Sequence, residues 1–83
     1  MKTFQVEAIH PDRGSFFEGN ILADVLAKAK EYVLAIQNIR PEHFRFLVTR
    51  NDDKDYFRWW HLTLDSVNNQ YVFDVNKPDV MGV

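Results

Sequence analysis

The 83-residue chain contains no cysteine. That absence removes a disulfide framework, a thiolate zinc site and a cysteine nucleophile together, and it fits a reducing cytoplasm. Long apolar runs are missing too. No stretch approaches the ~20 apolar residues that span a bilayer, and the opening residues from Met1 to Glu7 have neither an apolar core segment nor a small-residue cleavage site. No membrane partner is expected, and the location expected is cytoplasmic. Charge of one sign is scarce as well: ten Lys and Arg against twelve Asp and Glu leave a formal charge of −2. Dedicated duplex-DNA binders concentrate positive charge, so nucleic acid is disfavoured as a partner.

The chemistry-bearing signatures are equally sparse. There is no glycine-rich phosphate loop, no Gly-x-Ser-x-Gly elbow and no His-Glu-x-x-His pair. The three histidines, His10, His43 and His61, fall in separate segments without a paired spacing, which reads as ordinary polar or edge positions rather than metal ligands. The acidic cluster Asp52, Asp53 and Asp55 lacks both the sharp-turn glycine and the terminal bidentate glutamate of an EF-hand loop. The expectation is a protein with no catalytic residues, no metal and no cofactor.

What the chain has is apolar and aromatic bulk. Hydrophobic residues make up 46% and aromatics 14%, above the regime in which a chain stays disordered. Two independent cores would each need about 40 residues or more, so residues 1–83 are expected to form one domain.

Residues 3–9 alternate, with Phe4, Val6 and Ala8 on one side and Gln5 and Glu7 on the other, as a half-buried strand does. Pro11 and Gly14 stop that pattern, and residues 10–19 read as a loop in which one of Phe16 and Phe17 plugs the end of the core. Asn20 is a suitable cap for a helix over residues 21–38. Its stripe of Leu22, Val25, Leu26, Ala29, Val33 and Ile36 has helical spacing. Pro41 ends it. Residues 43–50 and 56–64 alternate again around a polar turn at 51–55. After a second turn at 65–70, Tyr71, Phe73 and Val75 share one face of a last strand. Residues 76–83, with Pro78 and Gly82, read as a loosely packed tail.

The expected fold class is therefore α+β in two layers: one amphipathic helix on a mostly antiparallel four-stranded sheet, in the order β-α-β-β-β. The helix would form a right-handed crossover if the first two strands were parallel neighbours. One helix covers one face. The other face then gathers Gln5, Glu7, Arg45, Leu47, Thr49, Phe57, Trp59, His61, Thr63, Val72 and Asp74. An aromatic centre within a polar rim suits contact with another protein or protein complex, because Trp, Tyr and Arg dominate interface hot spots. Trp59, Phe57 and Arg45 are the expected anchors with Leu47 and His61 beside them, and Asp52, Asp53 and Asp55 form an electrostatic guide at the turn. Trp60 is expected to face the helix. Two other readings compete: base stacking by a single-stranded nucleic-acid module, which the scarcity of positive charge opposes, and burial of the face in a homodimer.

The segments Phe4 to Ala8, Ala23 to Ile36, Phe44 to Arg50 and Phe57 to Leu64, taken in order, resemble small phage and mobile-element proteins of the anti-CRISPR kind, particularly strand-helix-strand-strand inhibitors of type I systems. The resemblance implies inhibition by covering a surface of a host defence complex. The residue 11–19 insertion and the modest net charge depart from the acidic nucleic-acid mimics of that group, and no individual residue role carries over.

Overall fold

The computed structural model describes residues 2–74. Its elements are β1 (Phe4–His10), β2 (Arg13–Gly19), α1 (Leu22–Leu34), a single 3-10 turn (Pro41–His43), β3 (Arg45–Arg50), β4 (Asp53–Asp65) and β5 (Gln70–Asp74). The sheet has five strands in the order β2-β1-β3-β4-β5, and every neighbouring pair is antiparallel. The α+β class and the single helix are as expected; the strand count and order are not. Val75 and the tail expected at 76–83 lie outside the described residues.

The extra strand is β2. The 10–19 segment expected as a loop is the second arm of a hairpin whose turn is only Pro11 and Asp12, with His10 opposite Arg13. Pro11 sits where no ladder donor is needed, and the Asp12 N–H donates to His10 Nδ1 at 3.1 Å. Gly14 does not break the strand. It lies opposite Ile9, and a Cβ there would come within 3.2 Å of the Ala8 carbonyl oxygen. Because β2 reverses the chain before the helix, α1 carries it to the far side of β1, and β3 joins β1 antiparallel instead of parallel.

Helix α1 begins one residue later than expected. Ile21 is its cap residue and makes no side-chain cap bond, so Asn20 stands outside. It ends at Leu34, where the Ala35 N–H reaches both the Glu31 and Tyr32 carbonyls and the Ile36 N–H reaches Val33 O. Those shorter-range bonds tighten the last turn. Ile36 and Ile39 still pack against the core from non-helical backbone, which is why the apolar spacing alone overran the helix.

The core is the alternate set of strand residues under α1: Val6 and Ala8 from β1, Phe44, Phe46 and Val48 around β3, and Leu62 from β4, closed by Val25, Leu26, Ala29 and Val33. The helix packs over β1 and β2. It meets β2 at Gly19, where a Cβ would approach Val25 Cγ2 to 2.9 Å. Trp60 lies on the helix side of the sheet, opposite Phe46, but its ring is half-buried and stands edge-on to Phe73 at 5.8 Å. Phe73 in turn meets Phe46 at 5.0 Å. Trp60 is therefore on the side expected for it and packs against the core, with the strand aromatic Phe73 as its ring neighbour.

The β3–β4 turn is shorter than expected, Asn51 and Asp52 only. Thr49 is opposite Phe57 while Arg50 is opposite Asp53, so one step on β3 matches four on β4. The surplus is a bulge. Tyr56 within it stands edge-on to Phe4 at 6.1 Å, with the Arg50 and Arg58 guanidinium groups 5.2 and 4.7 Å from its ring centre.

Candidate functional site

Directly opposed residues in an antiparallel ladder point to the same side of the sheet, so the register defines the uncovered face row by row. One row runs Phe16, Glu7, Leu47, Trp59 from β2 through β4. The next runs Glu18, Gln5, Thr49, Phe57, and a third runs Gly14, Ile9, Arg45, His61, Asp74. Thr63 and Val72 pair beyond them. Every residue assigned to this face from the alternation lies on it, because the pleat of β1, β3, β4 and β5 has the parity read from the sequence. The side chains that sequence reasoning missed are Ile9, Phe16 and Glu18. The last two were hidden by reading β2 as a loop, and the alternation of Ser15, Phe17 and Gly19 against Phe16 and Glu18 was the available signal.

The apolar content of the face is exposed. Phe16 is 61% accessible, Phe57 50% and Val72 36%; Leu47 and Trp59 are half-buried. Phe17, next to Phe16, turns to the other side and packs on Tyr32 of α1 with ring centres 5.7 Å apart. One of the two adjacent phenylalanines therefore closes the core and its neighbour is presented to solvent.

Polar contacts organise the rim. The Arg45 guanidinium lies 4.2 Å from the centre of the Trp59 ring, a distance at which the cation and the ring face attract. Gln5 Nε2 donates to Glu18 Oε2 at 2.8 Å, and the Thr49 hydroxyl donates to Gln5 Oε1 at 3.4 Å. This chain of amide and hydroxyl fixes the second row across three strands. Glu7 is exposed and has no ionic or hydrogen-bond partner among the described residues.

The acidic turn is a separate feature at the end of the β3–β4 hairpin. Asp52 takes two hydrogen bonds from Arg50, from Nε at 3.0 Å and Nη2 at 2.9 Å, and these hold its carboxyl below the usual range. Asp53 Oδ1 accepts the Asp55 N–H at 3.0 Å. Of the eight residues expected to bind, Trp59, Phe57, Arg45, His61 and Leu47 share the open face. Asp52 and Asp53 are engaged within their own turn, and Asp55 lies exposed beside them.

Elsewhere, a shallow groove of about 500 Å³ lies beyond the helix C-terminus, lined by Leu34, Ile36, Arg40 and Tyr71 among others. The Tyr71 hydroxyl donates to Glu42 Oε1 at 3.0 Å, which ties β5 to the 3-10 turn. His10 sits on the helix side with its ring 5.2 Å from that of Phe44, whereas His61 is on the open face. Among the described residues no three metal-ligating side chains converge, and no helix is long and apolar enough to cross a membrane.

The described residues form a two-layer α+β fold in which one face of the sheet is left uncovered among those residues. No family model matches the chain, and comparison with curated proteins and with solved structures yields no match.

Proposed function

We propose that the chain is a non-enzymatic binding module that docks another protein on its open sheet face. The observation that carries this reading is the cluster of Leu47, Phe57 and the Arg45-covered Trp59 on one face, with Phe16 across Glu7 from Leu47 and with Gln5, Glu18 and Thr49 beside it. A contiguous exposed apolar patch rimmed by polar groups is the usual mark of a docking surface, and Trp with Arg at its centre is the composition of a hot spot. The mechanism is occlusion: the module covers a surface of its partner, with no bond made or broken. The resemblance to anti-CRISPR-type inhibitors nominates a subunit of a host defence complex as one class of target.

The same aromatics could stack single-stranded bases, but the acidic groups of the face, Glu7, Glu18 and Asp74, oppose a phosphate backbone, and Arg45 is the single Lys or Arg in the three rows. Protein is the better fit. The test is capture of a partner by the wild type and by Trp59→Ala, with and without nuclease: loss of a nuclease-resistant partner in a folded variant supports the reading.

A further inference from the structure

The charge of the face narrows the partner. We infer that the docking segment is cationic, an amphipathic stretch of protein whose apolar side chains seat on Phe16 and Leu47 and whose arginine or lysine pairs with Glu7. This inference rests on the open-face reading above.

Glu7 lies between Phe16 on β2 and Leu47 on β3 in a single cross-strand row. Such neighbours have Cβ atoms about 5 Å apart. No surface can cover both apolar residues without also covering the carboxylate between them, and Glu7 brings no counter-charge from the described residues. A carboxylate removed from water without a partner offsets the apolar gain on either side of it. A cation supplied by the docking protein converts that cost into a specific contact. Glu18, in the adjoining row, adds a second negative group that Gln5 holds in place at 2.8 Å. Arg45 lies beyond Leu47, where its guanidinium already covers Trp59.

The face is therefore acidic over β2 and β1, with Arg45 on β3 and Asp74 on β5 in the row beyond Leu47. Arginine suits the site better than lysine, because a planar guanidinium can pair with a carboxylate and lie flat against a ring at once. A second copy of this chain is a poorer occupant. It would bring three carboxylates, Glu7, Glu18 and Asp74, against Arg45 as the one Lys or Arg of these rows.

The experiment uses the whole chain, labelled for amide NMR, and two synthetic peptides with the same alternating leucines and valines. Arginine fills the intervening positions in one peptide and glutamate in the other. The expected result is that the arginine peptide shifts the amides around Glu7, Phe16 and Leu47 and that Glu7→Gln weakens it at least about tenfold. Asp24→Asn, on the exposed side of α1, should leave its affinity unchanged, and thermal unfolding should confirm that both variants fold. If the glutamate peptide binds the same amides as well, or if Glu7→Gln changes nothing, the charge inference is overturned and the open-face reading stands. Shifts confined to α1, or none with either peptide, overturn both. Open-face shifts that grow with protein concentration alone assign the face to a second copy and also overturn the inference.

Discussion

Arg45 is directly opposite His61 in the ladder, yet its guanidinium reaches diagonally to lie 4.2 Å from the ring centre of Trp59. Diagonal neighbours on a sheet are within reach of long and aromatic side chains. The guanidinium covers part of the indole, which is half-buried on the open face and outside the buried core. An exposed cation–π contact contributes about 0.5–1 kcal/mol, so Trp59→Ala should lower stability in urea by about that much. Partner affinity should fall by about 2 kcal/mol or more, as at a hot spot.

Phe16 and Phe17 give a paired test of the sheet's two sides. Phe16 is 61% exposed and Phe17 packs on Tyr32. Phe16→Ser should change stability by less than about 0.5 kcal/mol, the scale of ordinary surface substitutions, while weakening partner binding. Phe17→Ala should cost about 2–3 kcal/mol, somewhat less than a fully buried phenylalanine because the site is partly open. Denaturant titration separates the two. Equal losses would mean that β2 is not paired in this register.

Gly19 tests the closeness of α1 to β2. Replacing glycine by alanine usually stabilises by about 0.4–1 kcal/mol where the backbone permits. Here the new Cβ meets Val25 Cγ2 at 2.9 Å and Val25 is buried, so Gly19→Ala should destabilise by about 1–3 kcal/mol. Combined with Val25→Ala it should cost less than the two single losses added, since the clash and the cavity cancel in part.

The acid limb of the stability profile follows from three carboxylates with lowered values. Asp52 is held down by its bonds from Arg50. Asp65 is held down by the Asn68 side chain and the Asn68 and Val67 backbone N–H groups. Glu42 is held down first by its own backbone N–H and then by Tyr71, Arg40 and His43. Each contributes stability that is present above its unfolded value, about 4, and is lost as pH falls through the lower folded value. Tyr71, raised by desolvation and by Glu42, acts on the other limb. Its contribution is intact below about pH 10 and disappears as pH rises through the folded value. All of these groups are solvent-accessible, so the slopes should be shallow and flatten further in salt. Asp52→Asn should remove part of the acid slope in melts between about pH 5 and pH 2.

The face was legible in the sequence because a strand has a side-chain period of two. Once Val6, Phe46 and Leu62 are assigned inward, Glu7, Leu47 and Trp59 must point outward, whatever the strand order. Strand β2 was not legible by the same means. Pro11 and Gly14 are local stop signals, but whether they stop a strand depends on whether a ladder is available, and β1 offers one across seven residue pairs. Pro11 falls in the turn, and Gly14 pairs without needing a side chain. The helix end was obscured for a related reason, since Ile36 and Ile39 reach the core from outside the helix. Asp52 looked like free negative charge, but its partner, Arg50, is two residues away and met only when the chain turns.

The most direct test of the central claim is affinity capture by tagged wild type beside Trp59→Ala, with and without nuclease, after thermal unfolding has shown both to be folded. The account predicts a nuclease-resistant protein partner held by the wild type and lost from the variant. Retention of that partner by Trp59→Ala, or its disappearance from the wild type on nuclease treatment, would contradict it.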